Sequence, residues 1–263
     1  PDIVPYIPDG IGNSTDRQRI PAVLIIPGGA FRRLVYNFEG EDVAKWLNSM
    51  GIAAFVLECR LPSDEHDNAE DVPLIDAMRA MRVIRGRAQE FGIDEAKIGV
   101  MGFSAGGFMA ALLSTAYESD VYADYKYKDE YDKLSARPDF AVCSYPVISI
   151  DDCIEAGKRY MSEEQVLERI SDGKAKILHK YNPDKLVRPD MPPVFICETD
   201  DDRTTLSENS VGFYMAARKA GVSAELHIFR TGGHGYGCGD DFAQTGEWKV
   251  LFTKWIKSIG IIS

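Results

Sequence analysis

Ile98-Gly99-Val100-Met101-Gly102-Phe103-Ser104-Ala105-Gly106-Gly107 is the stretch on which the fold turns. It begins as a short apolar strand and reaches a serine flanked by glycines at two positions on either side. Phe108-Met109-Ala110-Ala111-Leu112-Leu113, a good helix former, follows directly. A strand that passes into a helix at one residue needs a sharp turn, and small neighbours relieve the crowding there. Such a turn lifts the Ser104 hydroxyl clear of the backbone. A plainer reading makes Ser104 the N-cap of the following helix. The strand before it and the helix former after it favour the exposed hydroxyl. Serine alone is a poor nucleophile; it needs a base and a cradle of hydrogen-bond donors.

Outward from this stretch, strand-like and helix-like segments alternate, the pattern of a parallel sheet covered by helices. Ala22–Ile26, Ile52–Leu57, Lys97–Met101, Phe140–Cys143 and Val194–Cys197 are short apolar runs, as expected of strands buried on both faces. Ala224–Phe229 alternates and reads as an edge strand, and Val4–Ile7, which holds Pro5, as another. From Ala69 to Phe91, apolar residues recur every three or four positions, with Asp67 or Asn68 as cap and Gly92 as stop. Val43–Met50, Ser207–Ala220 and Phe242–Ile259 are further helices, the last with a core stripe of Trp248, Leu251, Phe252 and Trp255. Residues 151–193 form an insertion between the fourth and fifth buried strands, with helical pieces near Glu163–Ile170 and Lys174–Tyr181. Its length suits a small cap beside the site.

Composition narrows the function. The chain has 263 residues, enough for one large α/β domain. A net charge of −11 argues against nucleic acid or an anionic membrane as the main partner. No apolar run reaches the 18 residues that would suggest a membrane span. Five cysteines, none in Cys-x-x-Cys spacing, fit a reducing compartment rather than a metal site or a disulfide framework. Cys59, Cys143 and Cys197 read as buried; Cys238, in a glycine-rich stretch, reads as an exposed thiol. The chain begins at Pro1 without a signal-like region. The expectation is a cytoplasmic protein, with an exported form left open.

The base must be one of four histidines. His66 lies among polar loop residues, His179 in the insertion and His227 in the edge strand. His234 stands in Thr231-Gly232-Gly233-His234-Gly235-Tyr236-Gly237, directly after the last strand. Glycines there let a loop carry an imidazole over the sheet edge, so His234 is favoured. The acid that orients it is expected after the fifth strand, within Glu198-Thr199-Asp200-Asp201-Asp202-Arg203. Asp202 fits best and Asp201 second. A metal loop is a further reading of these aspartates, but it lacks spaced ligands. Oxyanion donors are expected from the Ala105 amide and from Pro27-Gly28-Gly29-Ala30-Phe31, the loop after the first buried strand.

Together these residues resemble the α/β-hydrolase superfamily of serine esterases, and within it the small bacterial acetyl xylan esterases and related carbohydrate-ester esterases. Glu39-Gly40-Glu41, Ser144-Tyr145-Pro146-Val147-Ile148-Ser149 and Glu208-Asn209-Ser210 extend the likeness along most of the chain. It implies an α/β-hydrolase fold, a mostly parallel sheet flanked by helices. It further implies Ser104 as nucleophile, Asp202 as acid, His234 as base and Gly29, Ala30 and Ala105 as oxyanion donors, with no cofactor and no metal. Four departures stand out. Pro27 replaces a frequent histidine and Ala30 a third glycine. Thr205 stands for a common valine and Glu198 for a histidine. The implied activity is hydrolysis of short acetyl-type esters of sugars or xylan-derived oligosaccharides. A feruloyl esterase or aminopeptidase-like hydrolase is the alternative, and a non-catalytic binding protein the remotest. The expected partner is a small-molecule or oligosaccharide ester, with a homo-oligomer left open. Tyr117, Tyr122, Tyr125, Tyr127 and Tyr131 fall in one polar stretch and read equally as a stacking surface for a sugar ring or as packing and plain surface tyrosines.

Overall fold

The computed structural model describes residues 1–263 apart from 11–18, 63–65, 124–128, 160–161, 163, 166–175 and 240–243. Among the described residues, seven strands follow in chain order: β1 (Asp2–Tyr6), β2 (Ile20–Ile26), β3 (Ala53–Glu58), β4 (Ile93–Phe103), β5 (Ala141–Ser144), β6 (Val194–Thr199) and β7 (Ala224–Phe229). They make one sheet in the order β1-β3-β2-β4-β5-β6-β7. β1 runs antiparallel to β3, and every other pairing is parallel. The two strands read as edges are the edges. Pro5, which has no N–H for a ladder, sits on β1, where one side of the strand is unpaired.

Among the described residues, eight α-helices accompany the sheet: α1 (Asp42–Ser49), α2 (Val72–Gly86), α3 (Ala88–Phe91), α4 (Ala105–Ala116), α5 (Ile150–Lys158), α6 (Lys176–Lys180), α7 (Ser207–Lys219) and α8 (Glu247–Ser258). Because successive strand residues face opposite ways, neighbours in β2 enter different cores. Leu24, with Val100 and Ile196, packs against Leu74 and Met78 of α2, Phe108 of α4 and Phe213 of α7. Val23 and Ile25, with Met101 and Phe195, pack against Leu47 of α1 and Trp248, Phe252 and Trp255 of α8. The aromatic stripe of the last helix is core, as its spacing suggests.

Several boundaries differ from the sequence reading. The long 69–91 helix is two helices with Arg87 between them. Neither Asp67 nor Asn68 caps it. Asp71 occupies the cap position, yet its carboxylate turns away to Tyr181 Oη at 2.5 Å and Lys180 Nζ at 2.6 Å. Those partners come from the insertion, which no local pattern reveals. Gly92 does stop the helix, in the left-handed conformation. Cys238 is buried, not exposed.

The tyrosine stretch is not a sugar platform where it is described. Tyr117 and Tyr122 are buried; Tyr117 donates to Asp190, and Tyr122 bonds Asp132 under the Arg82 guanidinium. Tyr131 packs on Gly86 of α2. At about 1.5 Å per residue, α4 separates Tyr117 from Ser104 by roughly 20 Å. Tyr125 and Tyr127 lie outside the described residues. Lys180, Tyr181, Asn182, Lys185, Leu186 and Arg188 line a cavity of about 550 Å³ with Thr115 and Ala116, at the end of α4 remote from Ser104. The helical piece expected near Glu163–Ile170 lies almost wholly outside the described residues.

Candidate active site

The carboxyl ends of β4, β6 and β7 bring the site together. Ser104 joins β4 to α4 with φ 53° and ψ −118°, a conformation that costs a side-chain-bearing residue about 1–3 kcal/mol. Close packing enforces it. A Cβ on Gly106 would stand 1.9 Å from the Ile26 carbonyl oxygen, so α4 can begin against the end of β2 only with glycine there. The Ser104 side chain makes no capping bond to α4, which removes the plainer N-cap reading. Its Oγ lies 2.8 Å from His234 Nε2 instead.

His234 Nδ1 lies 2.6 Å from Asp202 Oδ2. The other carboxylate oxygen, Oδ1, accepts the Thr204 and Thr205 amides at 2.7 and 3.0 Å. The Asp202 side chain is fully buried and the imidazole one-fifth exposed. Burial works to raise the Asp202 carboxyl. The hydrogen bond and charge of His234, with the Thr205 and Thr204 amides, outweigh it and hold the carboxyl below its ordinary value. Asp202 is thus kept ionised facing the imidazole.

Asp201, the second choice for the acid, does something different. Its Oδ1 accepts the Gly232 and Gly233 amides at 2.9 and 2.8 Å and so holds the backbone that presents His234. Among the described residues, no three His, Cys, Asp or Glu side chains are grouped to hold a metal. The remaining histidines lie elsewhere. His227 pairs with Glu225 on β7, His179 is exposed on α6, and His66 follows a segment outside the described residues.

Of the expected oxyanion donors, Ala105 opens α4 next to the serine. The 27–31 loop comes up against Ser104: a Cβ on Gly28 would lie 3.0 Å from the Ser104 Cβ. Gly29, Ala30 and Phe31 all have positive φ, at 132°, 55° and 56°. Two consecutive non-glycine residues in the left-handed region mark a loop whose shape is imposed by its surroundings. Among the described residues, the Gly29, Ala30 and Ala105 amides donate to no protein acceptor.

Sequence reasoning missed four contributors. Thr205, noted only as a departure, places its hydroxyl 3.0 Å from Asp202 Oδ2 and 3.3 Å from His234 Nδ1. Asp201 anchors the histidine loop. Glu39 and Tyr145 are buried and bonded to each other. The only signals were a glutamate in the largely polar run Asn37-Phe38-Glu39-Gly40-Glu41-Asp42 and a tyrosine just past an apolar strand, which spacing alone could not join.

Residues 11–216 match the BD-FAE family. The chain belongs to that family. Relatives agree with the placement. This BD-FAE member is 31% identical over 240 residues to an acetylxylan esterase of Xylanibacter ruminicola, an alignment covering 90% of this chain and 45% of that protein. It is also 31% identical over 227 residues to endo-1,4-beta-xylanase B of Butyrivibrio fibrisolvens, covering 86% of this chain and 34% of the other. The chain therefore spans less than half the length of either relative. Among solved structures, the acetyl ester-xyloside bifunctional hydrolase of Caldicellulosiruptor lactoaceticus is 37% identical, with a TM-score of 0.81 over 99% of this chain and 89% of that one. The fold of this BD-FAE member is the α/β-hydrolase fold.

Glu198, another departure, is buried at the end of β6 beside Asp202. Burial, reinforced by the Asp202 charge, pushes its carboxyl well above the usual range. A carboxyl whose folded value is raised adds stability below its ordinary value, and that contribution is lost as pH rises toward the folded value. Glu198→Gln removes this penalty. The melting-temperature advantage of the variant over wild type is expected to grow between pH 5 and pH 8. A difference constant across that range would refute the protonated-acid reading.

Proposed function

We propose that this chain is a serine carboxylesterase that hydrolyses short-chain, acetyl-type esters, with acetylated sugars or xylan-derived oligosaccharides as substrates. One observation carries the reading: an unbroken relay from Ser104 Oγ through His234 to buried Asp202, at 2.8 and 2.6 Å. The names of the relatives, acetylxylan esterase and acetyl ester-xyloside hydrolase, support the acyl group and the alcohol.

The chemistry follows from the arrangement. His234 Nε2 takes the hydroxyl proton as Ser104 Oγ attacks the ester carbonyl. The carbonyl oxygen becomes an oxyanion next to the Gly29, Ala30 and Ala105 amides, which stabilise charge that did not exist in the ground state. Asp202 holds Nδ1 protonated and offsets the imidazolium charge. His234 then delivers its proton to the departing alcohol oxygen, leaving an acyl group on Ser104. Water attacks that acyl group with the same histidine as base, releasing the acid and restoring the serine.

No helix among the described residues is long and apolar enough to cross a membrane. Cys143 and Cys197 are buried free thiols. Burial pushes the Cys197 thiol up to about 12, so it stays protonated and inert at neutral pH. Free thiols support a reducing, cytoplasmic setting.

A substrate panel tests the assignment. Acetylated xylo-oligosaccharides are expected to give a kcat/KM at least about tenfold above feruloyl and aminoacyl substrates, a gap of ~1.4 kcal/mol in transition-state binding. Preference for either alternative would overturn the acetyl reading while leaving the serine mechanism intact.

A further inference from the structure

The oxyanion loop and the histidine loop come from opposite ends of the chain, yet catalysis needs them at a fixed separation. Pro27, Gly28 and Gly29 carry no side chain that can hydrogen bond, and Pro27 has no N–H. Backbone bonds from Val35 to the Gly28 carbonyl and from Arg32 to the Gly29 carbonyl, both 3.0 Å, close the loop on itself, but they do not tie it to the histidine loop. The Gly28 amide donates to Glu39 Oε2 at 2.7 Å. The Tyr145 hydroxyl donates to Glu39 Oε1 at 2.9 Å and accepts the Gly237 amide at 3.0 Å. Gly237 lies three residues beyond His234, and its carbonyl accepts the Trp248 indole N–H at 3.0 Å.

The directions of these bonds are fixed. A backbone amide can only donate, so Gly237 uses the phenol as acceptor and sends the phenol proton to Glu39. Gly28 also donates to Glu39, so the carboxylate accepts at both oxygens and needs no proton of its own. The rest of Tyr145 reaches the same machinery. Its ring meets the His234 ring edge-on at 5.1 Å, and its carbonyl lies 3.5 Å from the Thr205 hydroxyl beside Asp202. Local structure aims Glu39 inward. It sits in a π-helical turn, Asn37–Glu41, and neighbouring Gly40 lets that turn press on β3, where a Cβ would lie 2.9 Å from a Val56 methyl. A buried carboxylate costs several kcal/mol of desolvation, and apolar packing would stabilise the fold at least as well. Its placement between two loops, not in the middle of a core, points to geometry rather than stability.

We propose that Glu39 and Tyr145 are positioning residues: a strut of three hydrogen bonds that fixes the oxyanion loop relative to the histidine loop. The role rests on the serine-esterase reading above. It is exerted through Gly28 and Gly237, and neither side chain touches the substrate.

The experiment compares Glu39→Gln, Tyr145→Phe, the double variant and Ser104→Ala on an aryl acetate, with active enzyme counted by fluorophosphonate titration. Each single variant is expected to lose about 10- to 100-fold in kcat, the scale of a small misplacement of catalytic groups. KM should change less than about threefold, since uniform binding is untouched. The double variant should be no worse than the weaker single, because both break one strut. Unchanged kcat, losses that multiply in the double variant, or losses confined to KM would overturn the proposal. Failure of both single variants to fold would also overturn it, by making the pair a stability element. A different outcome marks failure of the underlying reading: Ser104→Ala as active as wild type.

Discussion

Ser104→Ala is expected to lower kcat about 10⁶-fold on any ester substrate, and to abolish fluorophosphonate labelling. The size follows from the mechanism. Without Oγ there is no acyl-enzyme, and only the Gly29, Ala30 and Ala105 amides and attack by solvent water remain to act. His234→Ala should cost about as much. The double variant should cost little more than either alone, because the two groups work as one unit in a single proton transfer. Stability should hardly change. Alanine removes a hydroxyl whose bond goes to His234, while the backbone at φ 53° stays fixed by Gly106 against β2. An alanine variant that kept a tenth of the wild-type rate, or still labelled, would end the serine assignment.

How much of this was legible depended on whether a feature is local. The elbow could be read because strand, glycines, serine and helix are contiguous, and the same glycines that signal the turn are those a side chain would clash with. Buried strands announced themselves as apolar runs, and the two edges by alternation and by Pro5. His234 could be singled out because its flanking glycines are a local signature too. Contacts made at a distance were not legible. The order of the aspartates' duties depends on which carboxylate faces the imidazole and which faces Gly232 and Gly233. Asp71 abandons its cap for Tyr181, 110 residues away. Tyr117, Tyr122 and Tyr131 could be read as part of a binding surface because composition does not reveal that they pack near α2 and the far end of α4. Glu39 meets Tyr145 across 106 residues, so a glutamate in a polar run and a tyrosine at a strand end form one polar link that neither stretch announces.

The neighbouring aspartates allow a sharp comparison. Asp202→Asn is expected to lower kcat about 10⁴-fold, and Asp201→Asn no more than a few-fold. In Asp202→Asn, the amide oxygen should keep the Thr204 and Thr205 amides, since only an acceptor suits them. The amide nitrogen is then left facing His234 Nδ1, which must become an acceptor. The ring proton moves to Nε2, and a protonated Nε2 cannot take the proton of Ser104. Geometry survives while the tautomer is wrong. At Asp201 the asparagine oxygen still accepts from Gly232 and Gly233, so the histidine loop keeps its shape. Stability supplies an independent check on the sign. The Asp202 carboxyl lies below its ordinary value in the folded protein. Its stabilisation is therefore complete above about pH 4, the unfolded value, and disappears as pH falls through the folded one. The melting-temperature deficit of Asp202→Asn should be largest near neutral pH and shrink on acidification below pH 4. A kcat loss at Asp201→Asn equal to that at Asp202→Asn would give the orienting role to the wrong carboxylate. A deficit that grew toward acid would contradict the ionised Asp202 on which the relay depends.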